Sequence, residues 1–289
     1  GKKVENMKNR TEIFNGRGNR KLFYQYWIPD SGISKAIIIT LHGWATHSDR
    51  LKNVADYFTE KGYGIYSFDL RGHWRNTGEI PGHIESLDNI QKDVVLFRDL
   101  IKKEYTDKQI FIMGHSFGGL ISLIYAIQHP GIPGVLVSSP MLGLSLDLSV
   151  TQKVGKIFAG PFAKINPTKV IDMKIQQNLL TSDLRILREH IADKHKLEQI
   201  TAKTYSEMKD AMKWAIDNAS KLTCPLFIMQ AGMEKVVDKI KTKEFFERVK
   251  GRDKSYKEYD GFLHELWNEK GRAQVFQGMF VWLEKHLIK

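Results

Sequence analysis

The chain has 289 residues, a formal net charge of +11 and a single cysteine, Cys224. This length accommodates one large core, or a core with an insertion. One cysteine excludes an internal disulfide framework and favours a reducing, cytoplasmic compartment. No apolar run reaches the roughly 18 residues of a membrane-spanning helix, and no apolar segment follows the N-terminal lysines as it would in a signal peptide. The basic residues are scattered rather than grouped with aromatics, so the charge favours solubility over nucleic-acid binding, with attraction to an anionic membrane as the alternative.

Short apolar strands alternate with helical patterns through the first half of the chain. Strands are predicted at residues 36–41, 64–68, 110–113 and 134–138, and helices at 51–58, 86–105 and 117–129. Alternation of this kind, with strands this apolar, predicts a parallel sheet covered by helices on both faces. Residues 13–28, before the first of these strands, are typical of an antiparallel hairpin at the sheet edge.

The alternation stops in the middle of the chain. Residues 143–221 show helical patterns and loops but no convincing strand, and strands resume at 225–229 and 255–259. The chain closes with an amphipathic helix, in which Val275, Met279 and Leu283 share one face. The sequence therefore predicts one α/β core, formed by residues 1–142 and 222–289, interrupted by a helical insertion of residues 143–221.

The strongest local signal is G-H-S-F-G-G at residues 114–119, which fits the G-x-S-x-G pattern of a serine nucleophile. It follows the strand at 110–113 and opens a helix, which is the sharp strand-to-helix turn that the pattern requires. Such a turn places the Ser116 hydroxyl at a helix N-terminus, where the N–H of Phe117 can face a developing oxyanion. The alternative is a glycine-rich packing turn with an inert serine.

A serine nucleophile needs a base, and in this kind of sheet the chain order is serine, acid, histidine. His264 follows the strand at 255–259 through a short loop, at the sheet edge where functional groups collect. His190 and His195 fall in the insertion, and His286 lies near the end of the last helix. His264 is therefore the predicted base.

The loop after the strand at 36–41 reads L-H-G-W-A at residues 41–45. A second oxyanion donor is expected from this loop, and the backbone N–H of Trp44 is the candidate. His42 is interpreted as a structural residue of the loop and not as a second base.

Five motifs occur in order over residues 36–268: L-H-G-W-A-T-H-S-D-R, D-L-R-G-H-W-R-N-T-G, G-H-S-F-G-G, Q-A-G-M-E-K-V-V-D and Y-D-G-F-L-H-E. Together they resemble the monoacylglycerol lipase and lysophospholipase group of the α/β-hydrolase family. The resemblance implies an α/β-hydrolase fold, a helical cap formed by the insertion, and a serine esterase that forms an acyl-enzyme without a cofactor. It matches Ser116 to the nucleophile, His264 to the base, and the N–H groups of Trp44 and Phe117 to the oxyanion hole. No H-E-x-x-H, C-x-x-C or similar spacing predicts a metal site.

The acid of the predicted triad departs from the family pattern. Aligned through its motif, the family's catalytic aspartate falls on Glu234, just beyond the strand at 225–229. Glutamate carries the same charge and can accept the same hydrogen bond from His264. Asp238 is the alternative, although its place suits the N-cap of the next helix. A weakened acid would leave a feeble enzyme or a binding protein.

Trp74 is a second departure, because it stands where the family motif R-G-H-G-x-S has glycine. If this position takes a positive φ, a tryptophan there is costly unless contacts with the cap hold it.

The insertion is rich in apolar residues, and an acyl-binding roof or ordinary helix packing would each explain this. The predicted substrate-binding residues are Trp74, Leu144, Ile157 and Phe158. Lys153, Lys156 and Lys164 lie near these positions and would face anionic headgroups if the cap touches a membrane.

The sequence thus predicts a serine carboxylester hydrolase that cleaves single-chain acyl lipids, either monoacylglycerol or lysophospholipid. The alternatives are a small-ester, thioester or peptide hydrolase of the same fold, or a non-catalytic lipid-binding protein whose triad has drifted.

Overall fold

The computed structural model describes residues 7–145 and 165–288. Within these ranges the strands are β1 (Met7–Asn15), β2 (Lys21–Pro29), β3 (Ala36–Leu41), β4 (Tyr63–Phe68), β5 (Ile110–His115), β6 (Val135–Ser138), β7 (Val170–Asp172), β8 (Gln199–Thr201), β9 (Leu226–Ala231) and β10 (Lys254–Tyr259). The α-helices are α1 (Lys52–Glu60), α2 (Leu87–Glu104), α3 (Phe117–Gln128), α4 (Leu184–Ala192), α5 (Ala202–Asn218), α6 (Lys239–Arg248) and α7 (Arg272–His286). Short 3₁₀ turns occur at Arg17–Asn19, Ser48–Leu51, Trp74–Asn76, Gln177–Leu179, Ala219–Lys221 and Leu266–Asn268.

Eight strands form one sheet in the order β1-β2-β4-β3-β5-β6-β9-β10. The hairpin of β1 and β2 is antiparallel and joins β4 antiparallel, whereas every pair from β4 to β10 is parallel. Successive residues of β3 alternate between the two faces, so Ile37 and Ile39 enter one core cluster and Ile38 enters the other. The predicted parallel sheet and edge hairpin are confirmed.

Helices cover both faces of this sheet. On one face α2 and α3 bury Phe97 and Leu120, and on the other α1 and α7 bury Phe58 and Met279, all with 0% exposure. This arrangement confirms the α/β class and the predicted terminal helix. None of the helices in the described ranges is long and apolar enough to cross a membrane.

The insertion is not purely helical. β7 and β8 form a separate two-stranded antiparallel sheet, in which Ile171 pairs with Ile200. The expectation that residues 143–221 contain no strand is therefore wrong, because strands of three residues are too short to show a periodic pattern. The helix α5 packs against α3 and α6 of the core. The limits of the predicted cap, residues 143 and 221, stay a prediction.

Candidate active site

Ser116 occupies the turn between β5 and α3, as the motif predicts. Its backbone has φ 52° and ψ −114°, a conformation that costs a non-glycine residue free energy. Three backbone hydrogen bonds hold it there: the Ser116 N–H donates to the Ser138 carbonyl at 2.9 Å, and its own carbonyl accepts from Leu120 at 3.0 Å and Met141 at 2.9 Å. The turn places Ser116 directly before the N-terminus of α3.

Close packing explains the glycines of this motif. A Cβ atom on Gly118 would overlap the carbonyl oxygens of Leu41 and His42, and one on Gly114 would overlap the carbonyl of Gly118. Since these obstacles are backbone atoms, no side-chain rotation could relieve the clash. The small residues therefore allow α3 to approach the end of β3.

His264 lies in the loop after β10, where its Nδ1 is 2.8 Å from Oε2 of Glu234. The two side chains are 3% and 0% exposed, respectively. Burial would raise the pKa of Glu234, but the charge of His264 and hydrogen bonds to the carboxylate together lower it to about 2. Because the carboxylate can only accept, we assign the proton to Nδ1 of His264, which leaves Nε2 free to take a proton.

Backbone groups fix the other oxygen of Glu234. Its Oε1 accepts hydrogen bonds from the N–H groups of Val236 at 2.8 Å and Val237 at 3.2 Å. The amide of Gln230 donates to Oε2 at 3.4 Å. The carboxylate is thus oriented by its own loop before it meets the imidazole.

Asp238 has a different task. It is the N-cap of α6, and its Oδ1 accepts from the N–H groups of Ile240 at 2.9 Å and Lys241 at 3.3 Å. The interpretation of Asp238 as a helix cap is confirmed, and the carboxylate that meets His264 is that of Glu234.

The loop after β9 also pairs with the first residues of the predicted insertion. The N–H of Asp238 donates to the Gly143 carbonyl at 3.0 Å, and the N–H of Ser145 donates to the Val236 carbonyl at 3.1 Å. Between these bonds, Leu144 forms an antiparallel bridge with the loop. The start of the predicted insertion is therefore attached to the loop that carries Glu234.

The two N–H groups predicted as the oxyanion hole belong to Trp44 and Phe117. Neither has an acceptor among residues 7–145 and 165–288. Phe117 begins α3, where the N–H groups have no acceptor within the helix and the helix dipole favours negative charge. The rings of Trp44 and Phe117 pack edge to face at 5.8 Å, and a Cβ on Gly43 would lie 3.4 Å from the Cβ of Ser116. Both donors are thus unpaired in segments adjacent to the serine.

His42 connects the loop after β3 to the loop after β4. Its Nδ1 donates to the Gly43 carbonyl at 2.8 Å, and its Nε2 accepts from the Leu70 N–H at 2.9 Å. Burial lowers the pKa of His42 to about 3, so the ring is neutral and can accept at Nε2. Both nitrogens are engaged in the scaffold, which confirms the structural interpretation of His42.

One cavity is lined by both Ser116 and His264. Most of its wall is apolar and includes the predicted Leu144; the other apolar side chains are Trp44, Ala45, Met141, Met173, Ile175, Leu180, Leu197 and Val236. Arg50, Lys196 and Glu265 also line it, and sequence reasoning missed all three. Ser116 and His264, both within the described residues, line the same cavity and share no hydrogen bond.

The remaining predicted site residues lie elsewhere. Trp74 is not on the wall of this cavity but on a neighbouring surface cleft, and its φ of 27° is the positive value that favours glycine. Ile157 and Phe158 lie outside the described residues, as do Lys153, Lys156 and Lys164. Within the described ranges, no three His, Cys, Asp or Glu side chains are grouped as they would be around a metal ion.

Comparison with known proteins shows the family of the chain. The Hydrolase_4 family, described as serine aminopeptidase, S33, matches residues 32–271. The chain belongs to this family. Its α/β-hydrolase fold and its likeness to the monoacylglycerol lipase group, both predicted from the sequence, are confirmed.

The relatives of this Hydrolase_4 chain include lipid hydrolases. It is 28% identical over 255 residues to phospholipase YtpA of Bacillus subtilis. The alignment covers 87% of this chain and 96% of the relative. It is 25% identical over 280 residues to a monoacylglycerol lipase of Mycolicibacterium smegmatis. This alignment covers 95% of this chain and 96% of the relative. A soluble variant of monoglyceride lipase from Saccharomyces cerevisiae shares the fold, with a TM-score of 0.87 at 22% identity over 98% of this chain and 96% of that one.

Proposed function

We propose that this chain hydrolyses single-chain acyl lipids, monoacylglycerol or lysophospholipid, through Ser116, His264 and Glu234. The chain is a carboxylic ester hydrolase, as its relatives indicate; the proposal adds the residues and the substrate class. The observation that carries it is the 2.8 Å contact between His264 and the buried Glu234, on the cavity that Ser116 also lines.

In the first proposed step, Oγ of Ser116 attacks the ester carbonyl while Nε2 of His264 takes the hydroxyl proton. Glu234 stabilises the imidazolium that forms. The negative oxygen of the tetrahedral intermediate accepts hydrogen bonds from the N–H groups of Trp44 and Phe117. As the intermediate collapses, His264 gives its proton to the leaving alcohol, and the acyl group remains bonded to Ser116.

In the second proposed step, water replaces the alcohol. His264 takes a proton from water, and the resulting hydroxide equivalent attacks the acyl carbonyl. The second tetrahedral intermediate releases the fatty acid, and the proton held by His264 returns to Ser116. The two steps use the same side chains and N–H groups, and the second step consumes one molecule of water.

The wall of the cavity supports an amphiphilic substrate. Its apolar part includes Leu144, Met173 and Leu180, which suit a hydrocarbon chain, whereas Arg50 and Glu265 suit a polar headgroup. A substrate with one acyl chain and one polar head matches both parts.

A fluorophosphonate probe, which reacts with activated serines, tests the nucleophile. The unmodified chain should be labelled, Ser116→Ala should not, and the exposed control Ser31→Ala should be labelled like the unmodified chain. Labelling that persists in Ser116→Ala would exclude Ser116 as the nucleophile.

Rates on p-nitrophenyl esters of increasing acyl length test the substrate class. The proposal expects kcat/KM to rise from acetate to medium or long chains, with release of fatty acid from monoacylglycerol or lysophosphatidylcholine. A maximum at acetate would favour a small-ester hydrolase. Binding of fatty acid without turnover of any ester would favour a lipid-binding protein.

A further inference from the structure

Ala45 is held from two sides in a strained conformation. Its φ is 65°, in the region that favours glycine. Its N–H donates to Nε2 of His73 at 3.3 Å, and its carbonyl accepts from the N–H of Leu197 at 3.1 Å. His73 belongs to the loop after β4 and Leu197 to the insertion. Because Ala45 directly follows Trp44, these two contacts hold the peptide groups that follow Trp44 in the chain.

Trp74 joins the two elements that hold Ala45. It follows His73 in the chain, and its ring stacks on the ring of His195 with centroids 4.2 Å apart and planes at 24°. On the core side it contacts His47 at 4.5 Å, and the guanidinium of Arg75 lies 3.1 Å from the centroid of its ring. Trp74 is thus packed between the core and the segment 193–197 of the insertion.

Asp193 anchors the other end of that segment. Its Oδ2 accepts from Nη2 of Arg50 at 2.8 Å and lies 3.0 Å from Nε2 of His47, while its Oδ1 accepts from the N–H of His195 at 2.8 Å. Segment 193–197 is therefore held at its start by charge, in its middle by the Trp74 stack and at its end by the bond to Ala45.

We propose that Trp74 is a positioning residue for the oxyanion hole. Its stack on His195 keeps the N–H of Leu197 on the Ala45 carbonyl, and so keeps the N–H of Trp44 directed at the developing negative charge. This role accounts for a tryptophan at φ 27°, a conformation that persists only where the surroundings hold it. The inference rests on the proposed serine mechanism and adds a residue outside the cavity of Ser116.

Kinetics of Trp74→Ala, Trp74→Phe and His195→Ala on p-nitrophenyl butyrate test the role. A misdirected donor lowers kcat and leaves substrate binding intact, so we expect kcat about tenfold lower in Trp74→Ala and His195→Ala, with KM within about twofold. Trp74→Phe keeps a stacking ring and should retain most of the activity. The double variant should be no worse than either single one, because both remove the same contact. Trp214→Ala, a partly exposed tryptophan of α5 outside this cluster, is the matched control.

A second readout separates positioning from a general structural effect. An alkyl trifluoromethyl ketone forms a tetrahedral adduct with an activated serine and carries the negative oxygen, whereas 1-butanol has neither a carbonyl group nor a negative oxygen. In Trp74→Ala the affinity for the ketone should fall by the same factor as kcat/KM, while the affinity for 1-butanol stays constant. A merely structural role would change both affinities together.

Three results would overturn the inference: unchanged kcat in His195→Ala, an unchanged ratio of ketone to 1-butanol affinity, or additive losses in the double variant. If Trp74→Ala does not fold in a thermal unfolding test, His195→Ala and Trp74→Phe decide the question. A wild-type chain that turns over ester but binds no ketone would overturn the serine mechanism itself, and this inference with it.

Discussion

Glu234 and Asp238 lie on one loop, yet their carboxylates serve different partners: Glu234 accepts from the imidazole of His264, and Asp238 caps α6. We therefore expect Glu234→Gln to lower kcat by a factor on the order of 10⁴, the loss known for the corresponding change in a serine-protease triad. The isosteric control Asp238→Asn should keep normal turnover and a normal helix cap.

Asp238→Ala should lose about 1 kcal/mol of unfolding free energy with little change in kcat. Steady-state kinetics and urea unfolding of the three variants would check this, and a larger rate loss in Asp238→Asn than in Glu234→Gln would reverse the assignment.

The lowered pKa of Glu234 makes folding stability depend on pH in a defined direction. Its pKa is about 2 in the folded chain and 4.5 ordinarily, so its contribution is complete above pH 4.5 and is lost as pH falls toward 2. The unfolding free energy of the wild type, relative to that of Glu234→Gln, should fall by about 2 kcal/mol between pH 5 and pH 3. Urea titrations of both proteins across this range would measure it. A difference that does not change with pH would mean that the carboxyl titrates normally.

Gly118 tests the contact between α3 and the end of β3. In Gly118→Ala the new methyl group meets the carbonyl oxygens of Leu41 and His42, so we expect a loss of about 1–3 kcal/mol in unfolding free energy. Gly131→Ala is the matched control, because nothing lies near its Cβ position and its φ is not positive; it should change stability by less than about 0.5 kcal/mol. Equal effects of the two substitutions in thermal or urea unfolding would contradict the packing account.

At most positions alanine gives a more stable fold than glycine, but the backbone conformation at Ser116 should reverse this order of stability. Glycine ordinarily destabilises relative to alanine by roughly 0.4–1 kcal/mol through the entropy of the unfolded chain. At φ 52° alanine carries the strain and glycine does not, so Ser116→Gly should be about 1 kcal/mol more stable than Ser116→Ala. Both variants lack the hydroxyl and should be inactive. Differential scanning calorimetry of the pair would decide, and a more stable Ser116→Ala would mean that the turn relaxes.

The core of the fold was open to prediction because its signals are local. A sheet covered on both faces buries its strands and one face of each helix. This burial explains the apolar strand Ile110–His115 and the helical period of apolar residues in Leu87–Glu104. The place of Ser116 in its turn followed from glycine spacing, and that of Asp238 from its distance beyond a strand.

Other features depend on contacts between distant segments, which no local pattern encodes. β7 and β8 are three residues each, and their paired residues are 27 to 31 positions apart, so no periodic pattern could reveal them. Arg50 and Glu265 reach the cavity from separate loops, and only the folded chain brings them together. For Trp74 the sequence indicated a costly φ, and the structure supplied the compensating partner, His195.

The pairing of residues 143–145 with the loop after β9 has a consequence for engineering. A chimera that replaces the insertion with that of another hydrolase from residue 143 onward would replace Gly143, where a Cβ would lie 3.0 Å from Asp238 and 2.9 Å from Lys241. The exchange would then disturb the carboxylate loop even if the grafted segment folded well. A junction placed after Ser145 leaves both backbone hydrogen bonds native, so the insertion can be exchanged without disturbing the loop of Glu234.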